Sequence, residues 1–213
     1  MLGLPLVLSA LSVSRPSAQN SQPRECDAKT LQSCYDTYIA NFNLTTDPFP
    51  TFFDYLLNLS TILRKPKAEG FKNVCQWHHS LEKCLGSGNI ETCENGPAIK
   101  YGLGISDTDA LGYETYFHEF QYYCSNGYET FYKNSDCIVG VLQKYPEESR
   151  ACINNYLEQL KNGFSCKAIT DVHKCFNKIY AHCGQDMAKM VCEAGNIALE
   201  AVTNLCNNVL VQC

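Results

Sequence analysis

Cysteine is the residue type that could do most of the chemistry in this sequence, since it occurs 14 times in 213 residues. A thiol can serve as a nucleophile, a metal ligand or half of a disulfide, and its surroundings decide among the three. An even set of this size in an exported chain is typical of a disulfide framework. We therefore predict that all of the cysteines are paired, which leaves no thiol as a nucleophile. The predicted disulfide cysteines are Cys26, Cys34, Cys75, Cys84, Cys93, Cys124, Cys137, Cys152, Cys166, Cys175, Cys183, Cys192, Cys206 and Cys213.

Histidine is the next candidate for catalysis or metal binding, and its spacing argues against both. His118-Glu119 begins like the helix of a zinc protease, but the fourth residue after His118 is Tyr122. His78 and His79 are adjacent, so on a helix their side chains point about 100° apart and cannot chelate one ion well.

The other two histidines, His173 and His182, lie on opposite faces of one predicted helix. We therefore interpret all five histidines as solvated or hydrogen-bonded. Acidic residues such as Asp107 and Glu147 fall at predicted helix N-termini, where helix capping explains them. The sequence shows no paired carboxylates that require catalysis, and we predict no catalytic residue, no metal and no cofactor.

An excess of aromatic residues between positions 113 and 132 suggests a binding surface. Part of the set forms one helical stripe, which indicates a core face; the stripe is Tyr113, Tyr116, Phe117, Phe120, Cys124 and Phe131. Tyr122, Tyr128 and Tyr132 lie outside it. A ring with a polar tip suits ligand pockets and protein interfaces. We therefore predict these three tyrosines as ligand-binding residues.

The first residues indicate the compartment. Residues 2–11 are apolar, too short a stretch to span a bilayer but typical of a signal peptide. We expect residues 1–18 to be the signal peptide, with cleavage after Ala18 or, alternatively, after Ser14. Two glycosylation sequons begin at Asn43 and Asn58, which agrees with a secreted, extracellular glycoprotein.

Charge and hydropathy exclude several partners. The chain has 17 Lys and Arg against 22 Asp and Glu, a net charge of −5, so a basic surface for nucleic acid is not expected. No apolar stretch after the leader approaches the roughly 20 residues of a membrane span. Hydrophobic residues make up 45% of the chain, enough to build a core.

Helical periodicity runs through the remaining sequence, and runs of alternating β-branched residues are nearly absent. We predict an all-α fold, a disulfide-cross-linked bundle of about seven to eight helices, with residues 19–213 as a single domain. The interval 90–105, rich in glycine and proline, is predicted to be a long loop. The predicted helices cover residues 25–42, 52–63, 69–85, 106–133, 136–144, 146–161, 165–182 and 186–211.

Helix geometry also excludes certain cysteine pairs. Cys75 and Cys84 lie nine residues apart on one predicted helix, about 13–14 Å at 1.5 Å per residue. A disulfide requires Cα atoms within about 7 Å. Every bridge should therefore cross between helices or reach a loop. The sequential pairs excluded in this way are Cys26–Cys34, Cys75–Cys84, Cys166–Cys175 and Cys206–Cys213.

Two stretches of the sequence have similar cysteine spacing. Cys75-x8-Cys84-Leu85-x7-Cys93 is similar to Cys166-x8-Cys175-Phe176-x6-Cys183. A duplicated helical unit would produce this match, and so would two cysteine-rich helices under similar constraints.

The cysteines and their neighbours form a frame of five segments: Cys26-x7-Cys34, Phe71 to Cys75 with Cys84-Leu85, Phe131 to Cys137, Cys166-x8-Cys175-Phe176 and Cys183-Gly184. This frame resembles a large family of secreted proteins expanded in nematodes, domain of unknown function family nineteen. The resemblance covers about residues 26–192 and rests on cysteine spacing. It implies a secreted, disulfide-linked helical domain and brings no activity and no functional residues.

Three functions agree with these observations. The first is a secreted, non-enzymatic module that binds a protein or a small apolar ligand. The second is a secreted carrier of lipid or another small molecule, which would need an enclosed apolar cavity beyond about 300 Å3. The third is an extracellular enzyme with a dispersed site, which would need a cleft that gathers histidine with aspartate or glutamate.

Overall fold

The computed structural model describes residues 26–160, 165–202 and 210–213, so the predicted signal peptide lies outside the described residues. Within these ranges the chain forms nine α-helices, two short 3-10 helices and no β-strand, which confirms the all-α prediction. The 3-10 helices are Pro66–Ala68 and Ala181–Cys183. The α-helices are α1 (Ala28–Ala40), α2 (Phe52–Leu63), α3 (Glu69–Cys93), α4 (Gly96–Leu103), α5 (Asp107–Tyr123), α6 (Tyr128–Lys144), α7 (Pro146–Leu160), α8 (Cys166–Tyr180) and α9 (Gln185–Val202).

Side-chain caps fix several of the helix starts. The Thr51 hydroxyl accepts a hydrogen bond from the backbone N–H of Asp54 at 3.1 Å, which begins α2 at the predicted residue. The Ser106 hydroxyl accepts from the N–H of Asp109 at 3.1 Å, which begins α5. These short-range bonds satisfy amide groups that a helix leaves unpaired in its first turn, so local sequence is enough to place the boundary.

The predicted loop at 90–105 is wrong, because most of it is helical. Gly86 adopts a φ of 70° and kinks α3, and the chain resumes a helical path as far as Cys93. Asn95 then caps α4 through a 3.1 Å bond from the N–H of Ala98 to its side-chain oxygen, and Pro97 occupies the first turn. Glycine and proline here kink one helix and start the next rather than prevent helix formation.

The predicted long helix over 106–133 is also wrong, because it is two helices. The break covers residues 124–127 and begins at Cys124, which is disulfide-bonded to Cys75 of α3. In this tight turn the N–H of Gly127 donates to the carbonyl of Tyr122 at 3.0 Å. The helix predicted separately over 136–144 is the second half of α6.

The last predicted helix, 186–211, runs too far. Residues 210–213 are not helical: the Asn196 side chain donates to the carbonyl of Val211 at 2.8 Å and accepts from its N–H at 3.2 Å. These two bonds, together with a Cys192–Cys213 bridge, hold the chain end against α9. None of the helices in the described ranges is both long and apolar enough to cross a membrane.

The core is aromatic and centres on α5, which packs against α2, α3, α4 and α9. The predicted stripe is confirmed as a core face, since every member is at most 5% exposed. Phe131 continues it on α6 and stacks on Phe71 of α3 with ring centroids 3.9 Å apart. Buried residues occur on nearly all sides of α5, as expected for a helix at the centre of a bundle.

The bridges obey the exclusion argued from helix geometry. None of the four sequential pairs occurs, because at least one member of each is bonded elsewhere, and each described bridge joins two helices or a helix to a connecting segment. Cys166 is disulfide-bonded as well. The described bridges are Cys26–Cys93, Cys34–Cys84, Cys75–Cys124, Cys137–Cys183, Cys152–Cys175 and Cys192–Cys213.

Two parts of the chain repeat one pairing order. In each, an outer bridge encloses an inner bridge that joins two helices, α1 with α3 in the first part and α7 with α8 in the second. The shared pairing favours a duplicated helical unit over a chance match of spacings, because spacing alone does not dictate partners. The outer and inner bridges are Cys26–Cys93 with Cys34–Cys84, and Cys137–Cys183 with Cys152–Cys175.

The two sequons differ in their surroundings, and we expect Asn43 to be glycosylated to a higher occupancy than Asn58. Asn43 is exposed on the turn after α1, whereas Asn58 lies within α2, half-buried, and donates to the carbonyl of Asp54 at 2.9 Å. An exposed turn holds a bulky glycan without loss of packing or hydrogen bonding. Expression in secretory eukaryotic cells, with glycosidase-sensitive gel mobility as readout, tests this: Asn43→Gln should remove the main shift. Loss of that shift in Asn58→Gln instead would contradict it.

Candidate functional site

A surface groove runs between α3 and the start of α6. Its volume is about 490 Å3, and it is open to solvent along its length. It is large enough for a short peptide segment or a small molecule. Its lining residues are Lys72, Cys75, Gln76, His79, Ser80, Lys83 and Tyr128.

Helical periodicity places the polar lining on one face of α3. Residues 72, 76, 79, 80 and 83 follow the i, i+4, i+7, i+8, i+11 spacing of a single helix face. The opposite face of α3 enters the core through residues that include Phe71, Val74 and Leu81. The Cys75–Cys124 bridge fastens this part of α3 to the turn that precedes α6. The groove therefore lies beside a covalent link between α3 and the turn that leads into α6.

Aromatic stacking builds the wall of the groove on the α6 side. Tyr128 packs on Phe71 with ring centroids 5.3 Å apart, and Tyr132 lies parallel to Tyr128 at 6.0 Å. The Lys72 ammonium lies 4.9 Å from the centroid of the Tyr132 ring, within the range of a cation–π contact. Both tyrosines are half-buried, so part of each ring remains available to a ligand.

The groove is locally cationic in a chain of net charge −5. Lys72 and Lys83 are exposed, and neither forms an ion pair with a carboxylate of the described residues. Most charged contacts of other lysines are local pairs, such as Lys100 with Asp107 at 2.9 Å. The two groove lysines are therefore free to bind an anionic group from another molecule.

The structure brings together two of the three tyrosines predicted to bind a ligand. Tyr128 lines the groove and Tyr132 stacks behind it. Tyr122 lies elsewhere: its hydroxyl donates to the carboxylate of Glu193, which ties α5 to α9. Burial, together with this carboxylate, raises the pKa of Tyr122. Ligand binding by these residues stays a prediction, but Tyr122 has a structural contact that accounts for it.

The structure also reveals a buried pair of acids that the sequence did not indicate. Glu94 is 5% exposed and its carboxylate accepts a hydrogen bond from the Tyr35 hydroxyl at 2.9 Å. Glu114 is fully buried and accepts from the N–H of Gly96 at 2.8 Å, which places a carboxylate at the start of α4. The pKa of Glu94 is raised to about 8, mainly by burial; the hydrogen bond from Tyr35 opposes this rise and the nearby Glu114 adds to it.

A third buried acid, Glu119, lies on α5 and is 3% exposed. Burial alone raises its pKa to about 8. A raised pKa of this kind is typical of general acids in enzymes, yet such a group must reach a substrate. Glu94, Glu114 and Glu119 are all buried in the core. Their carboxyl groups are therefore neutral or capping groups that a substrate in solvent does not reach. No sequence signal distinguished Glu114 and Glu119 from solvated acids, because α5 also carries other polar residues such as Gln121.

Two of the five histidines, His78 and His173, are buried and are therefore not solvated. His78 is 1% exposed, its Nε2 makes no hydrogen bond within the described residues, and Glu82 Oε1 lies 3.9 Å away, beyond hydrogen-bond reach. Burial lowers the pKa of His78 to about 3 and that of His173 to about 4, so both are neutral at physiological pH. The residues that the structure describes contain no cluster of three or more metal-ligating side chains.

The aromatic core of the described residues contains one very small cavity. A cavity bounded by residues that include Tyr38, Tyr55, His78 and Tyr116 has a volume of about 10 Å3. That volume accommodates about one water molecule. It is far below the roughly 300 Å3 that a small-molecule carrier would need.

The fold and the groove together define a disulfide-cross-linked, all-helical protein with a cationic surface groove. No protein-family model, curated protein or solved structure matches this chain. The resemblance of its cysteine frame to domain of unknown function family nineteen is therefore untested and stays a prediction.

Proposed function

We propose that this chain is a secreted, non-enzymatic binding module, and that it binds another protein through the groove between α3 and α6. The groove itself carries the proposal: two unpaired lysines and a tyrosine wall border an open volume of about 490 Å3. Tyrosine is enriched at protein interfaces because one side chain offers both an apolar ring and a hydrogen-bonding tip.

The disulfide content supports secretion. Six bridges lie within the described residues, and structural disulfides persist in oxidising compartments such as the extracellular space. The bridges also favour a preformed site, because Cys75–Cys124 restrains the two sides of the groove before any partner arrives. A rigid site loses less conformational entropy on binding.

The same observations disfavour the rival functions. A carrier requires an interior cavity, and the space at the aromatic core is about 10 Å3. An enzyme requires its titratable groups in contact with substrate, and the acids with raised pKa are at most 5% exposed. A small apolar ligand would leave the charges and polar groups of the groove desolvated without partners. A protein with polar groups of its own satisfies them.

Charge reversal in the groove should weaken binding. We expect Lys72→Glu/Lys83→Glu to lower affinity for groove-binding peptides by about tenfold or more, because two attractive charges become repulsive. The measurement selects peptides from a random displayed library on the intact, oxidised protein, then determines their dissociation constants for the wild type and the variant.

The matched control is Lys174→Glu/Lys178→Glu, which makes the same change of net charge on exposed positions of α8. Its affinity for the selected peptides should stay close to that of the wild type. Equal weakening by both double variants would assign the effect to overall charge and contradict the proposed site.

A further inference from the structure

We infer that the groove recognises an extended segment of its partner protein that carries two acidic side chains on one face, about four or six residues apart. This inference rests on the proposed function, since it specifies the chemistry of the partner that the groove would bind.

The separation of the two lysines sets the spacing. Lys72 and Lys83 lie 11 residues apart on α3. Eleven residues rise about 16 Å and turn the helix by three complete turns plus about 20°, so both side chains leave from nearly the same face. An extended peptide covers about 3.3 Å per residue and its side chains alternate between two faces, so two acidic groups that meet both lysines from one face lie about four or six residues apart.

The middle of the groove has a different chemistry from its ends. Gln76, His79 and Ser80 lie between the lysines, and none of them carries a permanent charge. The Ser80 hydroxyl donates to the carbonyl of Gln76 at 2.9 Å and keeps its lone pairs for an incoming donor. An extended peptide presents N–H and C=O groups along its whole length, and these can pair with the amide, imidazole and hydroxyl groups.

The same distribution of charge disfavours a continuous polyanion. A sulfated glycan would carry anionic groups along its length and would place some of them beside the uncharged centre of the groove. The chain as a whole has a net charge of −5, so it repels a long polyanion outside the groove. A peptide with two separated charges and an uncharged middle avoids both costs. The Tyr128 ring then packs against a side chain from the middle of the peptide.

The test sequences the groove-dependent peptides from the library selection and aligns them. We expect pairs of Asp or Glu that are about four or six residues apart to be enriched several-fold over the unselected library, and pairs with the odd spacing of five residues to be enriched less. A synthetic peptide of this pattern should bind Lys72→Glu/Lys83→Glu about tenfold more weakly than the wild type. A peptide with lysine at both acidic positions should reverse this preference and bind the double variant better.

Three results would overturn the inference, and they separate it from the proposed function. Groove-dependent peptides without paired acids would refute the spacing and leave the proposed binding function in place. A selection with no groove-dependent peptides would refute both. Retention of the wild type on a heparin column at physiological salt, lost in Lys72→Glu/Lys83→Glu but kept in Lys174→Glu/Lys178→Glu, would assign the groove to a sulfated glycan instead.

Discussion

Reduction of the disulfides is expected to unfold this protein at room temperature. The described bridges close loops of 21 to 67 residues, and each such bridge stabilises a small domain by about 2–4 kcal/mol. The whole free energy of unfolding of a domain is about 5–15 kcal/mol. The contributions do not add fully, but the loss of several bridges exceeds that margin. The circular-dichroism signal of the helices, read at the usual helix band near 222 nm, should therefore be lost with reductant and persist without it.

A pair of double variants gives a graded version of the same test. Cys34→Ala/Cys84→Ala removes the inner bridge of the first unit, and Cys152→Ala/Cys175→Ala removes its counterpart in the second. Each should lower the free energy of unfolding by about 2–4 kcal/mol and leave the protein folded but less stable. A melting temperature that is the same with and without reductant would show that packing alone holds the helices together.

The stability of the oxidised protein should be greatest between about pH 4.5 and 6.5 and should fall on both sides. Two buried acids, Glu94 and Glu119, have pKa values raised from 4.5 to about 8. Between these two pKa values the folded state holds protons that the unfolded state has lost. The contribution of the two acids to the free energy of unfolding is therefore complete below pH 4.5 and is lost as pH rises through 8.

The buried histidines act in the opposite direction. Burial lowers the pKa values from 6.5 to about 3 for His78 and about 4 for His173. The contribution of the two histidines to the free energy of unfolding is complete above pH 6.5 and is lost as pH falls through 4 and 3. The reason is that the unfolded state binds protons that the folded state does not bind. From pH 4.5 to 6.5 the two acids and these two histidines give opposite slopes that cancel, and His118, whose pKa burial also lowers, adds to the slope of the histidines. Melting temperatures measured from pH 3 to 9 should therefore form a plateau with two declining sides.

Glu119→Gln tests the alkaline side directly. Removing the ionisable group should stabilise the protein at pH 7 by on the order of 3 kcal/mol, since one pKa unit corresponds to about 1.4 kcal/mol. For a chain of this size that raises the melting temperature by about 6–12 °C. Glu200→Gln, on the exposed side of α9, is the matched control and should change little. Equal melting temperatures of Glu119→Gln and wild type from pH 7 to 9 would show that the Glu119 carboxyl is not protonated in the folded state.

Local sequence determined the helical class and much of its detail. The start of α2 after Thr51 and of α5 after Ser106 follow from capping groups within three residues of each boundary. The core face of α5 follows from a 3.6-residue period that a helix must obey. The exclusion of Cys75–Cys84 as a bridge follows in the same way, because a helix fixes the distance between two of its own residues.

Only the tertiary structure decided which distant residues meet. Glu94 and Glu114 are 20 residues apart, and their proximity depends on how α4 folds back on α5. Gly86 kinks α3 instead of ending it, which local propensity does not distinguish.

The groove exists because Tyr128 of α6 lies beside α3, more than 40 residues earlier in the chain, and the Cys75–Cys124 bridge fixes that contact. Pairings of this kind depend on the packing of whole helices, so residues next to each other in sequence do not specify them. The sequence by itself therefore determined that the fold is helical and which cysteine pairs cannot form. Packing decided which bridges do form and where the surface groove lies.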